Sequence, residues 1–490
     1  MGYTEFVDFY KNVLNFNEDE WTTFIQSIKT PLPSAMRITA SKFKKKIQDA
    51  FVGMTKNEYF TDVYDTIYRG SLLKDLIINQ TNVGNIQRQE VVSMLPVLLM
   101  NLEVDHSVLD MCAAPGSKTK QLLEFVGDKG LVVANDCSSK RLNILVTETC
   151  KTPHKSFMVL KHDASFLPVF KTDFDRVLCD VPCSGDGTAR KNPLITEKWD
   201  LKNALGLSDL QYKILKRALK FVKHDGLIIY STCSMNPIEN ECIVQRVVLE
   251  EDLEIVDLRD NVNEKFLSKK FKFREGLTKW DLEVKEHKGL NLEPVEKDIG
   301  LSKCIRVYPH DQNTGGFFIV GLRKKIKKDY EVKNRVPRFT VSEIDDKLKQ
   351  DLEKEYDIRD RILVQKDKGL NVIYEVSKTV LDLIKKNKLN VIYCGYKIFE
   401  RCNLTVSKYR MKNILNEVGK IPYNLEIEGS CMVEGIKNKE IPLPFNKGSV
   451  VIKFKEYDIL VSGYSYGNKI NLYISNNLQK ALLDFQINKL

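Results

Sequence analysis

The sequence predicts an α/β protein built on a doubly wound, mainly parallel sheet, with a helical N-terminal domain and a C-terminal α+β region. Three observations point to it. Short apolar runs alternate with helix-like segments from residue 104 to residue 322. Runs at 107–111, 131–135, 157–161, 176–179, 227–231, 253–256 and 317–322 have the length and residue types of strands. The chemically distinctive residues follow directly after those runs, at the carboxyl ends where open α/β sheets bind ligands.

The elements are justified in turn. Residues 1–100 read as a helical region, with Trp21, Phe24, Ile25 and Ile28 on one face of a helix over 19–28. Lys42, Lys44, Lys45 and Lys46 follow; a run of this kind is ordinarily a solvated face. Residues 101–325 carry the sheet. Helices are expected there at 118–126 and at 210–222, the second with Ser208 and Gln211 as a capping box and Gly226 past its end. Residues 323–335 hold seven Lys/Arg against two acidic residues and show no apolar period, which marks an exposed linker or basic track. A helical connecting region is expected over 326–418. Residues 419–490 read as β-rich, with runs at 449–454, 458–462 and 469–474.

Bulk properties narrow the function classes. A chain of 490 residues implies two to four domains, and 43% apolar residues suffice for a sizeable core. The formal charge of +10 suits a polyanionic partner, although charge alone decides little. Eleven irregularly spaced cysteines without a leader-like apolar stretch in residues 1–10 argue against a disulfide framework. The longest apolar stretch, 91–100, is broken by Ser93 and Pro96 and is too short to span a bilayer. A soluble intracellular protein with reduced thiols is expected.

The turn in Asp110-Met-Cys-Ala-Ala-Pro-Gly-Ser-Lys-Thr119 follows the first of these strands. It lacks the second glycine of a P-loop and the three glycines of a dinucleotide fingerprint. Ala113, Ala114 and Gly116 still let a ligand approach the backbone; taken alone, an ordinary strand-to-helix turn explains the segment equally well. Asp136 ends the second strand run, twenty residues after Gly116, where a carboxylate can accept both hydroxyls of a ribose. Asp163 follows the third and can accept from an adenine amino group. Each alone reads as a turn or N-cap residue. Together with the first turn they outline an adenosine pocket without a phosphate cradle.

Two further blocks, Asp180-Val-Pro-Cys-Ser-Gly-Asp-Gly-Thr188 and Tyr230-Ser-Thr-Cys-Ser234, end the fourth and fifth strands, which are expected to be neighbours. Cys183, Cys233 and Asp180 should then face one cleft. No paired ligand spacing supports a metal, and none is expected. Free cysteines are ordinarily small buried hydrophobes. That reading suits Cys150, Cys179 and Cys242, and suits the strand-end Cys183 and Cys233 poorly.

These blocks, with Arg190-Lys-Asn192 and Asn236-Pro237, resemble the Nop/Sun family of RNA (cytosine-5)-methyltransferases, and within it the eukaryotic multisite tRNA branch. The likeness extends to Gln89-Glu90, Ser93-Met-Leu-Pro96, Arg306-Val-Tyr-Pro-His310 and Gly315-Gly-Phe-Phe318, over roughly residues 30–322. The resemblance implies a Rossmann-like methyltransferase sheet and S-adenosyl-L-methionine as cofactor. It implies Cys233 as nucleophile and Cys183 as the residue that releases the product. It implies donor contacts from Cys112, Ala113, Ala114, Pro115, Gly116, Ser117, Lys118, Asp136, Arg141, Asp163 and Asp180. It implies tRNA as partner with other RNAs in range and a PUA-like RNA-binding domain over 419–490. The basic runs permit nuclear import, so residence in the nucleus with a cytoplasmic share is expected, as is a monomer. Ala189 stands where many members of the branch have Met.

The implied chemistry explains the thiols. Carbon 5 of cytosine is a poor nucleophile, and a thiolate on carbon 6 converts the ring to an enamine whose carbon 5 can attack a sulfonium methyl. Lys118 is the cation assigned to favour the thiolate, Asp180 assists protonation at ring nitrogen 3, and Cys183 serves the release step. Lys42, Lys44, Lys45, Lys46, the 323–335 run and above all Arg190 and Lys191 are candidate phosphate contacts for a base drawn from its stack. Three alternatives stay open at this level. One is a DNA cytosine methyltransferase with Cys183 attacking. Another is a catalytically silent RNA-binding scaffold. The third is a methyltransferase of proteins or small molecules.

Overall fold

The computed structural model describes residues 2–39, 43–51, 54–66, 71–152, 154–169, 172–268, 270–325, 341–356, 358–366, 372–387, 389–401, 409–411, 425–455 and 459–487; Lys42 and most of the 323–335 basic run lie outside them. Five strands pair in parallel, in the spatial order Phe157–Leu160, Leu131–Asn135, Ser107–Asp110, Phe174–Asp180, Val222–Thr232. Phe317–Lys324 adds antiparallel to the 222–232 strand, and Ile305–Val307 and Arg274–Glu275 continue the sheet beyond it. Strand order reverses between the 107–110 and 174–180 strands, so a crevice opens at their carboxyl ends.

The two-residue period of a strand sends neighbouring side chains to opposite faces. Leu109, Val133, Met158 and Val177 enter one core, while Val108, Val132, Val159 and Leu178 enter the other. Helices cover both faces, as parallel sheets require. Ser117–Val126 and Ser139–Thr149 bury Leu122, Leu123, Leu142 and Leu145 in the second core. Leu201–Ala218 and Glu241–Glu250 bury Leu215, Ala218, Ile243 and Val247 in the first.

Four sequence expectations need correction. The helix expected at 210–222 runs from Leu201 to Ala218. Asp200 caps it by accepting from the Lys202 N–H at 2.8 Å, whereas Ser208 is buried and donates its hydroxyl to the Leu205 carbonyl at 2.8 Å. The N-terminal region holds helices Gly2–Val13 and Glu18–Lys29 but also a four-stranded antiparallel sheet, Thr55–Lys56, Val63–Thr66, Ser34–Ile38 and Ile86–Arg88. The 326–418 region is not a helical connector. It contains helices Asp346–Tyr356 and Lys378–Lys386, a five-stranded sheet, and Val391–Cys394, which pairs antiparallel with the 157–160 strand. Its strands are runs such as Val372–Glu375 set among lysines and glutamates; composition favours helix there, and strand pairing overrides it. Cys150, expected in the core, is exposed just past the 139–149 helix.

The C-terminal region is β-rich as expected, with Gly448–Phe454, Ile459–Ser465 and Ile470–Leu472 as successive antiparallel strands. Its Ile452, Val461 and Ile470 share one core with Met36, Ile47 and Ile86. The 34–88 region and the C-terminal region therefore fold against each other. Among the described residues no helix is long and apolar enough to cross a membrane.

One buried ion pair ties the antiparallel extension to the 241–250 helix and to the segment that leads to it from the 222–232 strand. Arg306 donates to Glu241 at 2.7 Å and 2.5 Å and to the Met235 carbonyl at 2.7 Å, with side chains 1% and 0% exposed. Arg306→Met would leave a buried carboxylate without its counter-charge, so it should lower unfolding free energy by about 3–5 kcal/mol in chemical denaturation.

Candidate active site

The 107–110 strand ends in Asp110, and the chain then turns tightly into the 117–126 helix. Met111 N–H donates to the Leu178 carbonyl at 2.9 Å and Ala113 N–H to the Asn135 carbonyl at 2.8 Å, which pins the turn between two neighbouring strands. Gly116 has φ +109°, and a Cβ there would lie 3.3 Å from Leu145, so both conformation and space call for glycine. Ala113 and Ala114 are buried, Cys112 and Ser117 half-buried, and Pro115 exposed. Burial pushes the Cys112 thiol well up, so it stays protonated.

Asp136 is 3% exposed; its Oδ2 accepts from the Ala114 N–H at 3.2 Å and its Oδ1 from the Ser138 N–H at 2.9 Å. Arg141 covers it from the solvent side, with Nη1 3.5 Å from Asp136 Oδ2 and Nη2 donating to the Ala114 carbonyl. Asp163 is exposed and caps the Ala164–Phe166 turn, its Oδ1 accepting from the Ser165 N–H at 2.9 Å and hydroxyl at 2.6 Å. The donor set fits an adenosine without phosphates. Carboxylates and small residues ring the strand ends, and these accept from hydroxyl and amino groups while disfavouring anions.

Lys118, at the start of the helix, donates to Asp180 Oδ2 at 2.7 Å and to Ser93 Oγ at 2.8 Å, and lies 5.4 Å from the centre of the Phe317 ring. Asp180 Oδ1 accepts from the Ser231 hydroxyl at 2.8 Å. The ammonium assigned to a thiol is thus committed to Asp180, because the helix start faces the end of the 174–180 strand.

The two thiols meet. Cys183 Sγ and Cys233 Sγ are 3.3 Å apart, and both residues are half-buried. The hydrogen bond to Cys233, then burial, hold the Cys183 thiol well above its usual range. Gly185 turns the chain beside the thiols at φ +75°, a conformation that favours glycine.

Two carboxyl groups that the sequence reading missed hold this pair. Asp186 accepts from the Met235 N–H at 2.7 Å and from the Tyr10 hydroxyl of the first helix. Glu239 accepts from the Ser184 N–H at 2.8 Å, from its hydroxyl at 2.5 Å, and from Gln211 at 2.9 Å. Each links the segment after Asp180 to the segment after Thr232. Burial raises the pKa of both. Spacing gave no signal for either, because both depend on contacts across the fold.

Arg190 does not face the solvent. It is 4% exposed, and its guanidinium donates to the carbonyls of Thr30, Pro31 and Thr314 and to Asn313 Oδ1. It ties the N-terminal region to the cleft and is not a phosphate contact; Lys191 beside it is exposed. Lys44 and Lys45 pair with Asp62 and Asp49 at 2.7 Å and 2.9 Å.

Asp110 forms the floor. Thr119 donates to its Oδ2 at 2.8 Å, its Oδ1 has no protein partner, and burial pushes its pKa up to about 7. In the unfolded chain this carboxyl loses its proton near the ordinary value of 3.8, so across that window the folded state binds more protons. Its contribution to stability should fall as pH rises from about 4 to 7, and Asp110→Asn should remove that part of the pH dependence in melting experiments.

The family model described as 16S rRNA methyltransferase RsmB/F matches residues 97–323. The chain is 30% identical to the multisite-specific tRNA:(cytosine-C(5))-methyltransferase of Saccharomyces cerevisiae, over 88% of this chain and 78% of that protein. It is 33% identical to a tRNA (cytosine(34)-C(5))-methyltransferase of Drosophila melanogaster, over 66% of this chain and 53% of that one. A solved methyltransferase homologue from Pyrococcus horikoshii shares the fold with a TM-score of 0.50 at 22% identity, over 65% of this chain and 94% of that one. With most of its length aligned to a relative at this identity, and with the matched segment spanning the crevice where the two thiols meet, the chain belongs to the RsmB/F, or Nop/Sun, family of RNA cytosine-C5 methyltransferases.

Proposed function

We propose that this chain is an S-adenosyl-L-methionine-dependent tRNA (cytosine-5)-methyltransferase that works through a covalent bond between Cys233 and carbon 6 of the target cytosine. The 3.3 Å contact between Cys183 and Cys233 at the ends of adjacent strands carries the reading. The names of the yeast and fly relatives supply the tRNA.

Residues Cys112 to Lys118 would hold the donor, with Asp136 on the ribose hydroxyls, Arg141 closing over it, and Asp163 on the adenine amino group. The donor, when bound, supplies an electrophilic methyl group on a sulfonium. Cys233, as thiolate, forms the sulfur–carbon bond to carbon 6, and the electron pair of the 5,6 double bond moves toward carbon 5. Asp180, held by Lys118 and Ser231, faces the pyrimidine edge and is the partner for a protonated ring nitrogen 3. Cys183 keeps its proton in the free enzyme and can hydrogen-bond the Cys233 sulfur, which favours Cys233 as the attacking thiolate. After methylation Cys183, having given its own proton to solvent once Cys233 is bonded to the base, takes the proton from carbon 5 as a thiolate; the electron pair left at carbon 5 re-forms the 5,6 double bond and expels the Cys233 sulfur as thiolate.

Trapping decides the assignment. Cys233→Ala should abolish both methyl transfer and the adduct with 5-fluorocytosine RNA. Cys183→Ala should accumulate a denaturant-resistant protein–RNA adduct with unmodified substrate. An adduct that survives Cys233→Ala and vanishes in Cys183→Ala would reverse the roles. Substitutions at the adjacent basic pair should part as well. Lys191→Ala should lower the salt dependence of RNA affinity by about one phosphate contact. Arg190→Ala should lower the melting temperature and leave the salt slope unchanged.

A further inference from the structure

Covalent addition at carbon 6 does not by itself select cytosine. Uracil has the same 5,6 double bond and accepts a thiolate in the same way. The two bases differ at position 4, where cytosine presents an amino donor and uracil a carbonyl acceptor. Some group in the cleft must read that position. Asp180 is already assigned to ring nitrogen 3, and its two oxygens also accept from Lys118 and Ser231.

Glu90 has unspent capacity. Its Oε1 is buried, and among the described residues the only protein donor against the carboxyl is the Gly315 backbone N–H, at a geometry short of a full hydrogen bond. The carboxyl rests against the Gly315 backbone so closely that a Cβ on Gly315 would lie 2.0 Å from this oxygen. The residue is one helical turn from Ser93, which holds Lys118: Ser93 N–H donates to the Glu90 carbonyl at 3.1 Å and Ser93 Oγ accepts from Lys118 at 2.8 Å. It also stands across one backbone crossing from the nucleophile. Gly316 N–H donates to the Gly187 carbonyl at 2.8 Å, and Gly187 N–H donates to the Cys233 carbonyl at 2.9 Å.

Glu90 also walls a cavity of about 260 Å³ beside the N-terminal sheet, lined by Leu32, Pro33, Tyr59, Asn313 and Thr314 among others. Burial raises the carboxyl's pKa, while Lys191, Lys118, Arg190 and the Gly315 backbone N–H oppose the shift. The terminal torsion of a glutamate is soft, so a small rotation can bring a carboxylate oxygen toward an incoming base.

We infer that Glu90 is the specificity-determining residue that accepts a hydrogen bond from the exocyclic amino group of the target cytosine and disfavours the carbonyl of uracil at the same place. The inference rests on the covalent reading above. A carboxylate beside the uracil carbonyl sets acceptor against acceptor, and a hydrogen bond to a charged group discriminates by roughly 10–100-fold.

The experiment compares adduct formation with RNA stem-loops carrying 5-fluorocytidine or 5-fluorouridine at the target position, in the full-length protein and in Glu90→Gln and Glu90→Ala. The unaltered protein should prefer the cytidine RNA. In Glu90→Gln the amide can donate to the uracil carbonyl, so the cytidine-over-uridine ratio should fall at least about tenfold. In Glu90→Ala the preference should shrink while both adducts still form. A ratio that stays constant in both variants while absolute rates fall together would overturn the inference and leave Glu90 a structural support. A second measurement needs no variant: the unaltered protein should methylate cytidine far faster than N4,N4-dimethylcytidine at the same position, and equal rates would also overturn it. Absence of any adduct between the unaltered protein and the cytidine RNA would instead sink the covalent reading itself.

Discussion

Parallel pairing of the 174–180 and 222–232 strands sets Asp180 opposite Ser231, and the chemistry hangs on that register. Cys183 follows three residues after Asp180, and Cys233 two residues after Ser231. A shift of one residue would turn every side chain of a strand to the other face and would separate the two thiols. The register is held because both strands are buried on both sides: Val177 and Ile228 in one core, Leu178 and Ile229 in the other. The position of the sulfur atoms is thus an outcome of packing well away from them.

Beyond the strand ends the backbone leaves the ladder, and buried carboxyl groups replace the lost hydrogen bonds. Asp186 and Glu239 each accept from backbone N–H groups of a thiol-bearing segment. Taking a carboxyl out of water is costly, and the cost is tolerable only because donors meet it from several directions. Tyr10 is one of those donors, so the first helix of the chain completes the support of a loop 176 residues away in sequence. The N-terminal region therefore takes part in shaping the cleft, through Tyr10 at Asp186 and through the backbone carbonyls that receive Arg190.

The remaining regions extend this frame. Val391–Cys394 closes the free edge of the parallel sheet, an edge that would otherwise present unpaired backbone groups. The C-terminal sheet packs its apolar face on the N-terminal sheet and its helices, with Ile452 and Ile470 beside Ile47 and Ile86. Both additions bury apolar surface away from the crevice and leave it open.

The sequence by itself determined the sheet and the main parts of the site. Apolar runs bounded by turn residues marked every strand of the parallel core, because burial on both faces demands uninterrupted apolar side chains. The Pro-Cys and Thr-Cys blocks marked both thiols, because their chemistry is written in residue type. The sequence did not reveal that Arg190 is buried, since a guanidinium reads the same whether it meets phosphate or backbone carbonyls. It did not show that Lys118 serves Asp180, that Asp186 and Glu239 brace the thiols, or that the 326–418 region pairs into sheets. Tertiary structure decided these points, because each depends on groups far apart along the chain whose meeting no local pattern records.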